Sequence, residues 1–276
     1  MGATERVVAQ HERVSSKAED SDLLDHAVRL GLVSYGVVHL LIAWLALNIV
    51  FGERSGKASN TGALHELAQS GLGRTSLYVV AAGFAALVVW QGMEALVGHR
   101  DEDGAKRLWK RVVSAVKVGI YVAIGWSALD MAMGSSGKGG GTDTWTSKLM
   151  SMPAGPWLVA LVGGIVAGVG VALVWRGWKE KFRSKLDVDG RTGRDGRAYV
   201  LFGKAGYIAK GFALMIVGGL FLYAAWTHDP KKSGGLDQAL SKLLEQPFGA
   251  PMLVAVAVGI GCYGLFCFAW ARHLDR

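Results

Sequence analysis

Six stretches of this chain are apolar on every side, and they decide what it can become. They run roughly over Val28–Phe51, Leu77–Val97, Val112–Met133, Trp157–Trp175, Ala205–Trp226 and Met252–Trp270. Each is close to the ~20 residues a helix needs to cross a hydrocarbon layer about 30 Å thick. A helix on a soluble core keeps one apolar stripe and one polar face; these stretches show no such division. Lipid suits them better than water, and it cannot satisfy exposed backbone groups, which leaves helices as the economical way across. Charged residues, 19% of the chain, collect between the stretches. The expected fold is therefore an all-α integral membrane protein with six transmembrane helices.

The six spans repeat as three pairs. The first spans open at Arg29, Arg111 and Lys204, and six residues later stand Tyr35, Lys117 and Lys210. The second halves also align. Ala63-Leu64 in copy one matches Ala239-Leu240 in copy three, and Trp145–Gly155 is the middle copy. In copy three Leu236, Leu240, Leu243 and Leu244 recur at helical spacing. This predicts a short amphipathic helix lying flat on the outer face, ended by Pro247, with Pro153 equivalent in copy two. The copies are spaced 82 and then 93 residues apart. The extra length lies in the basic linker Lys179–Arg197, whose Asp189–Gly196 portion reads as a flexible loop. Expected units are a polar tail at 1–25, disordered or loosely helical, and repeats at 26–104, 105–190 and 198–276. Two spans per unit give all units one orientation, with an axis along the membrane normal. A pseudo-threefold six-helix bundle follows.

The net charge of +8 is explained by topology rather than by nucleic acid. The termini and the two linkers between repeats hold 19 Lys and Arg; the three opposite loops hold eight. The positive-inside rule then places both termini in the cytoplasm, in a bacterial cytoplasmic membrane. The first 25 residues have no apolar core, so no cleavable signal peptide is expected. Cys262 and Cys267 sit five apart on one span and are expected as packing residues.

Small residues are dense in the spans, among them Gly163, Gly164, Gly168, Gly218 and Gly219. Gly164 and Gly168 form a G-x-x-x-G, expected to bring helices close together. Arg29, Gly31 and Gly36 in copy one, with Lys204, Gly206, Tyr207, Gly211 and the Ala239-Leu240…Gln246-Pro247-Phe248-Gly249 segment in copy three, resemble the bacterial membrane family called domain of unknown function 1206. The resemblance covers roughly residues 26 to 272. Copy two departs from it, with Val113 and Val118 in place of both glycines. The family implies six spans in three repeats and carries no catalytic residue over to this chain.

Ionisable groups inside spans are the functional candidates. His39 stands ten residues past Arg29, about 15 Å deep, with Tyr121 and Leu214 as its repeat equivalents. It is either a neutral histidine bonded to a neighbouring helix or a polar, proton-handling group at the bundle axis. Asn48, Asp130 and Tyr223 occupy equivalent positions near the outer ends, as interfacial residues or, if they face the axis, as a polar ring. Glu94, near the opposite end of its span, is expected to pair with Arg29, Arg111 or Lys117. Six residues turn a helix by ~600°, so Arg111 and Lys117, or Lys204 and Lys210, cannot both face one axis. Arg29, Arg111, Lys117, Lys204 and Lys210 are therefore expected to reach lipid phosphates, the alternative being a basic vestibule for anions. Lys179, Lys181, Arg183 and Lys185 suit anionic headgroups in the same way.

No Walker loop, G-x-S-x-G or H-E-x-x-H is present. Haem would need a second histidine at the depth of His39. No catalytic residue, metal or cofactor is expected beyond bound lipid. Two functions fit. One is a non-catalytic scaffold or accessory subunit that binds lipids, anionic ones included, or a membrane partner. The other is a transporter or channel for a small solute or ion along the axis. A polar continuous lining of that axis favours the second; an apolar closed one favours the first.

Overall fold

The computed structural model describes residues 3–51, 58–70, 73–97, 104–134 and 142–274. Helix α1 (Ala3–Val50) carries the first span from Asp25. The other spans are α3 (Gly73–Leu96), α4 (Gly104–Ala132), α6 (Gly155–Trp178), α8 (Gly193–Thr227) and α10 (Gly249–Arg272). The polar tail is helical and continuous with the first span. Short helices α2 (Asn60–Gln69), α5 (Thr142–Met150) and α9 (Leu236–Leu244) join the two spans of each repeat. They mark one face of the bundle, the hairpin face. The chain ends and the linkers between repeats mark the other, the terminal face.

Copies two and three turn from the short helix into the next span by the same backbone. Ala154 (φ 59°, ψ 21°) and Phe248 (φ 60°, ψ 22°) are both left-handed. Glycine follows each, and its α-carbon packs against the carbonyls that end the preceding helix. Leu64 in α2 and Leu240 in α9, equivalent residues, are both fully buried. Their apolar sides therefore cover the ends of neighbouring spans instead of lying on lipid: α2 packs on α1, α3 and α4, and α9 on α1, α8 and α10.

Around the bundle the spans touch in the order α4, α3, α1, α10, α8, α6. This is the order a threefold ring of hairpins requires, with one seam open. Helices α4 and α6 belong to the same repeat, yet they share no packed interface comparable with the others. The repeats differ here at one residue per copy. A Cβ on Gly31 would stand 2.6 Å from the Gly83 carbonyl, and a Cβ on Gly206 would stand 2.6 Å from Tyr263 Cα. Those two glycines let α1 meet α3 and α8 meet α10. Copy two has Val113 there, exposed to 37%, and so lacks the glycine that permits close approach in the other two copies.

The glycines five residues further on serve the joints between repeats. Gly36 meets the backbone of Gly264, and Gly211 meets that of Gly170. On α6 the packing glycines are Gly163, Gly170 and Gly177, seven apart, the spacing of a left-handed crossing. Gly164 and Gly168, the expected G-x-x-x-G, have nothing within 4 Å of a built Cβ and face away from the bundle.

Among the described residues there is no strand, only an isolated bridge between Leu186 and Leu274. The linker expected to be a flexible loop is ordered. It forms a 3-10 turn, Lys181–Lys185, and then α7 (Val188–Arg191). Phe182 and Leu186 are fully buried and anchor it. The Phe182 ring lies against Gly203 and stacks on Tyr207 at 5.2 Å.

Gly206→Val, which makes copy three resemble copy two, is expected to destabilise the bundle by about 1–3 kcal/mol through overpacking. Gly168→Val is expected to leave it unchanged. Thermal unfolding of both variants in detergent, followed by circular dichroism, checks the contrast.

Candidate functional site

The repeat positions that carry polar residues converge in the half of the bundle nearer the terminal face. Lys210 of α8 does not reach out to lipid phosphates, as its sequence position suggested. It points into the bundle, donating to Tyr35 Oη at 2.6 Å and to His39 Nε2 at 3.0 Å. Its ammonium also lies 4.2 Å from the Tyr263 ring centroid and 4.8 Å from that of Tyr35. Aromatic faces hold a cation by their quadrupole, and do so more strongly away from water.

His39 is buried in this cage, with its ring 4.3 Å from Tyr35 and 4.9 Å from Tyr263. Its Nδ1 lies 2.8 Å from the Tyr35 carbonyl, which can only accept. Nδ1 therefore donates and Nε2 accepts from Lys210. Tyr121 of α4, the repeat equivalent of His39, closes the cage 5.6 Å from Tyr35, with Phe84 of α3 behind it.

A second lysine enters from outside the spans. Lys185, on the linker, turns inward because Phe182 and Leu186 on either side of it are buried. Its Nζ donates to Tyr207 Oη at 2.8 Å and sits 3.7 Å from the Trp270 ring centroid. Burial pushes this lysine well below its usual range, and the charges of Lys117, Arg176 and Lys210 push the same way. Lys117 of α4 is half-buried, with Glu94 and Arg176 within electrostatic reach. The Trp270 indole N–H is buried and meets no acceptor among the described residues.

The remaining candidates lie elsewhere. Lys204 does not point to lipid phosphates either: it pairs with Glu180 at 3.2 Å, and its ammonium lies over the Trp178 ring. Arg29 is exposed at the terminal face, and Arg111 is half-buried. Gln91 of α3, beside Glu94 in sequence, donates to Ser114 of α4 at 2.8 Å. Asn48, Asp130 and Tyr223 form no ring: Asn48 is buried, Asp130 half-buried, and Tyr223 is 52% exposed under Lys232. Tyr223 turns outward, as an interfacial residue does.

Towards the hairpin face the interior is mostly apolar, with Asn48 the buried polar residue of α1 there. Ile42, Leu45, Ala46, Leu253 and Ile260 are all buried there. The polar chamber is thus one-sided. Tyr207, Tyr263 and Lys185 complete it. Tyr263 had no sequence signal, being one aromatic in an apolar run; Lys185 read as one of several surface cations.

Six apolar spans in three like-oriented hairpins define a polytopic α-helical membrane protein with internal repeats. The family described as Domain of Unknown Function (DUF1206) matches residues 30–98, 112–180 and 205–273, one match per repeat. The chain belongs to that family. An uncharacterised protein of Bacillus subtilis strain 168, YxxB, is 27% identical over 255 residues, covering 91% of each chain. No solved structure matches.

His39→Leu takes an acceptor from a half-buried ammonium and is expected to cost about 1–3 kcal/mol. Adding Lys210→Met to it is expected to restore most of that loss, because the cation goes too. Thermal unfolding of the two single variants and the double variant measures this coupling.

Lys185 binds fewer protons folded than unfolded between its lowered value and the ordinary ~10.4. Its contribution to stability therefore grows as pH rises through that window. Lys185→Met is expected to flatten the alkaline rise in unfolding temperature, measured from pH 7 to pH 10.

Proposed function

We propose that this chain is a non-catalytic scaffold or accessory subunit of the bacterial cytoplasmic membrane that holds a lipid at the seam between α4 and α6. The observation that carries the proposal is the seam itself. Two helices of one hairpin stand apart while every other neighbouring pair in the ring is packed. Their flanks are apolar and exposed, with Val116, Ile120 and Trp126 on α4 and Leu161, Ile165 and Trp175 on α6. Acyl chains are the solvent at that depth. The terminal face is the cytoplasmic one, supported by its excess of Lys and Arg.

The second reading, a transporter with an axial pathway, draws on the repeat symmetry and on the Lys210–His39 contact deep in the bundle. The apolar half of the interior counts against it, since a polar route would have to continue past Ile42 and Leu253 to the hairpin face.

The protein extracted in mild detergent is expected to carry lipid adducts in native mass spectrometry and to lose unfolding temperature when stripped by harsher detergent. Restored lipid is expected to return that temperature. Adducts of a second protein at the seam, without lipid, would move the reading to a protein partner. Solute or proton flux into reconstituted vesicles above the protein-free rate would move it to transport.

A further inference from the structure

We infer that the chamber behind the seam binds a phosphate group, with the terminal phosphate of an anionic lipid as its source. This deepens the lipid reading above and rests on it for that source.

The chamber contains an excess of donors. Lys117, Lys185 and Lys210 stand within one another's electrostatic field, and Arg176 within that of Lys117 and Lys185. Glu94 is the carboxylate that shares that field. None of the four cations is hydrogen-bonded to a carboxylate among the described residues. Lys185 and Lys210 make hydrogen bonds only to phenol oxygens and an imidazole nitrogen, which carry no compensating charge. Arg176 is exposed and the three lysines are half-buried; like charges this close repel one another, and an anion among them offsets that repulsion.

The Trp270 indole N–H supplies a second, independent indication. Trp270 is 8% exposed, its N–H has no acceptor among the described residues, and Lys185 lies against its ring. A buried donor beside a half-buried cation suits an oxyanion that can accept from both.

Access comes from the seam. Lys117 belongs to α4 and Arg176 to α6, so each helix flanking the opening contributes one cation. Lys210 lies six residues inside Lys204, about 9 Å deeper. A headgroup drawn that far from the surface keeps its chains in the acyl layer beside α4 and α6. A phosphomonoester, with up to two negative charges and three terminal oxygens, matches this donor set better than a diester does.

The test uses the purified full-length chain, titrated in detergent with phosphatidic acid, phosphatidylcholine or inorganic phosphate. Binding is read by native mass spectrometry and by unfolding temperature. Phosphatidic acid is expected to bind about tenfold or more tightly than phosphatidylcholine, in line with the loss of charge-assisted hydrogen bonds. Arg176→Gln, at an exposed position, and Trp270→Phe, which keeps the ring and removes the N–H, are each expected to shrink that preference several-fold. Neither is expected to change phosphatidylcholine binding. Equal binding of the two lipids, or variants that keep the full preference, overturns the phosphate site and leaves the lipid reading standing. Inorganic phosphate binding with no lipid retained supports the phosphate site and overturns the lipid reading. No binding of any of the three overturns both.

Discussion

How closely two helices can approach governs this structure, and one residue position in each repeat governs that approach. In lipid the apolar side chains gain nothing by leaving solvent, so association rests on close packing. Gly31 and Gly206 let backbones come within van der Waals reach of their hairpin partners. Val113 does not, and the ring opens there. The opening coincides with that replacement of a small residue by a larger one, and the exposed flanks of α4 and α6 lie on either side of it.

The chamber depends on the same geometry in a different way. Repeat positions that lie six residues inside the start of each first span carry Tyr35, Lys117 and Lys210. Symmetry brings them together, while divergence between the copies gives them different chemistry. The two half-buried lysines are held by tyrosine oxygens, aromatic faces and one imidazole. That arrangement satisfies hydrogen bonds and leaves charge unbalanced, which is the property expected of a receptor for an anion.

The architecture was legible in the sequence, because span length, repeat spacing and the opening residues of each copy are local signals. The membership of the chamber was not. Helical periodicity correctly separates Lys204 from Lys210 by a turn angle, but it cannot say which of them faces inward. The structure gives Lys204 to Glu180 on the linker and Lys210 to His39 on another repeat, and both partners are distant in sequence. The Gly164–Gly168 pair was a misleading signal for a related reason. The seven-residue series at Gly163, Gly170 and Gly177 matches the crossing with α8, so the four-residue pair is rotated out of the contact. Tyr263 had no signal of its own, since an aromatic residue in an apolar span reads as ordinary core.

The bridge between Leu186 and Leu274, with the Asp187 amide bonded to the His273 carbonyl at 2.9 Å, bears on the order of biosynthesis. The segment that seats Lys185 is held by residues at the far end of the chain. During synthesis, four spans can insert before Tyr207 of α8, which accepts from Lys185, exists. Only after α10 has entered the bilayer are Trp270 and His273 in place, so the seat of Lys185 is completed in the last step of assembly.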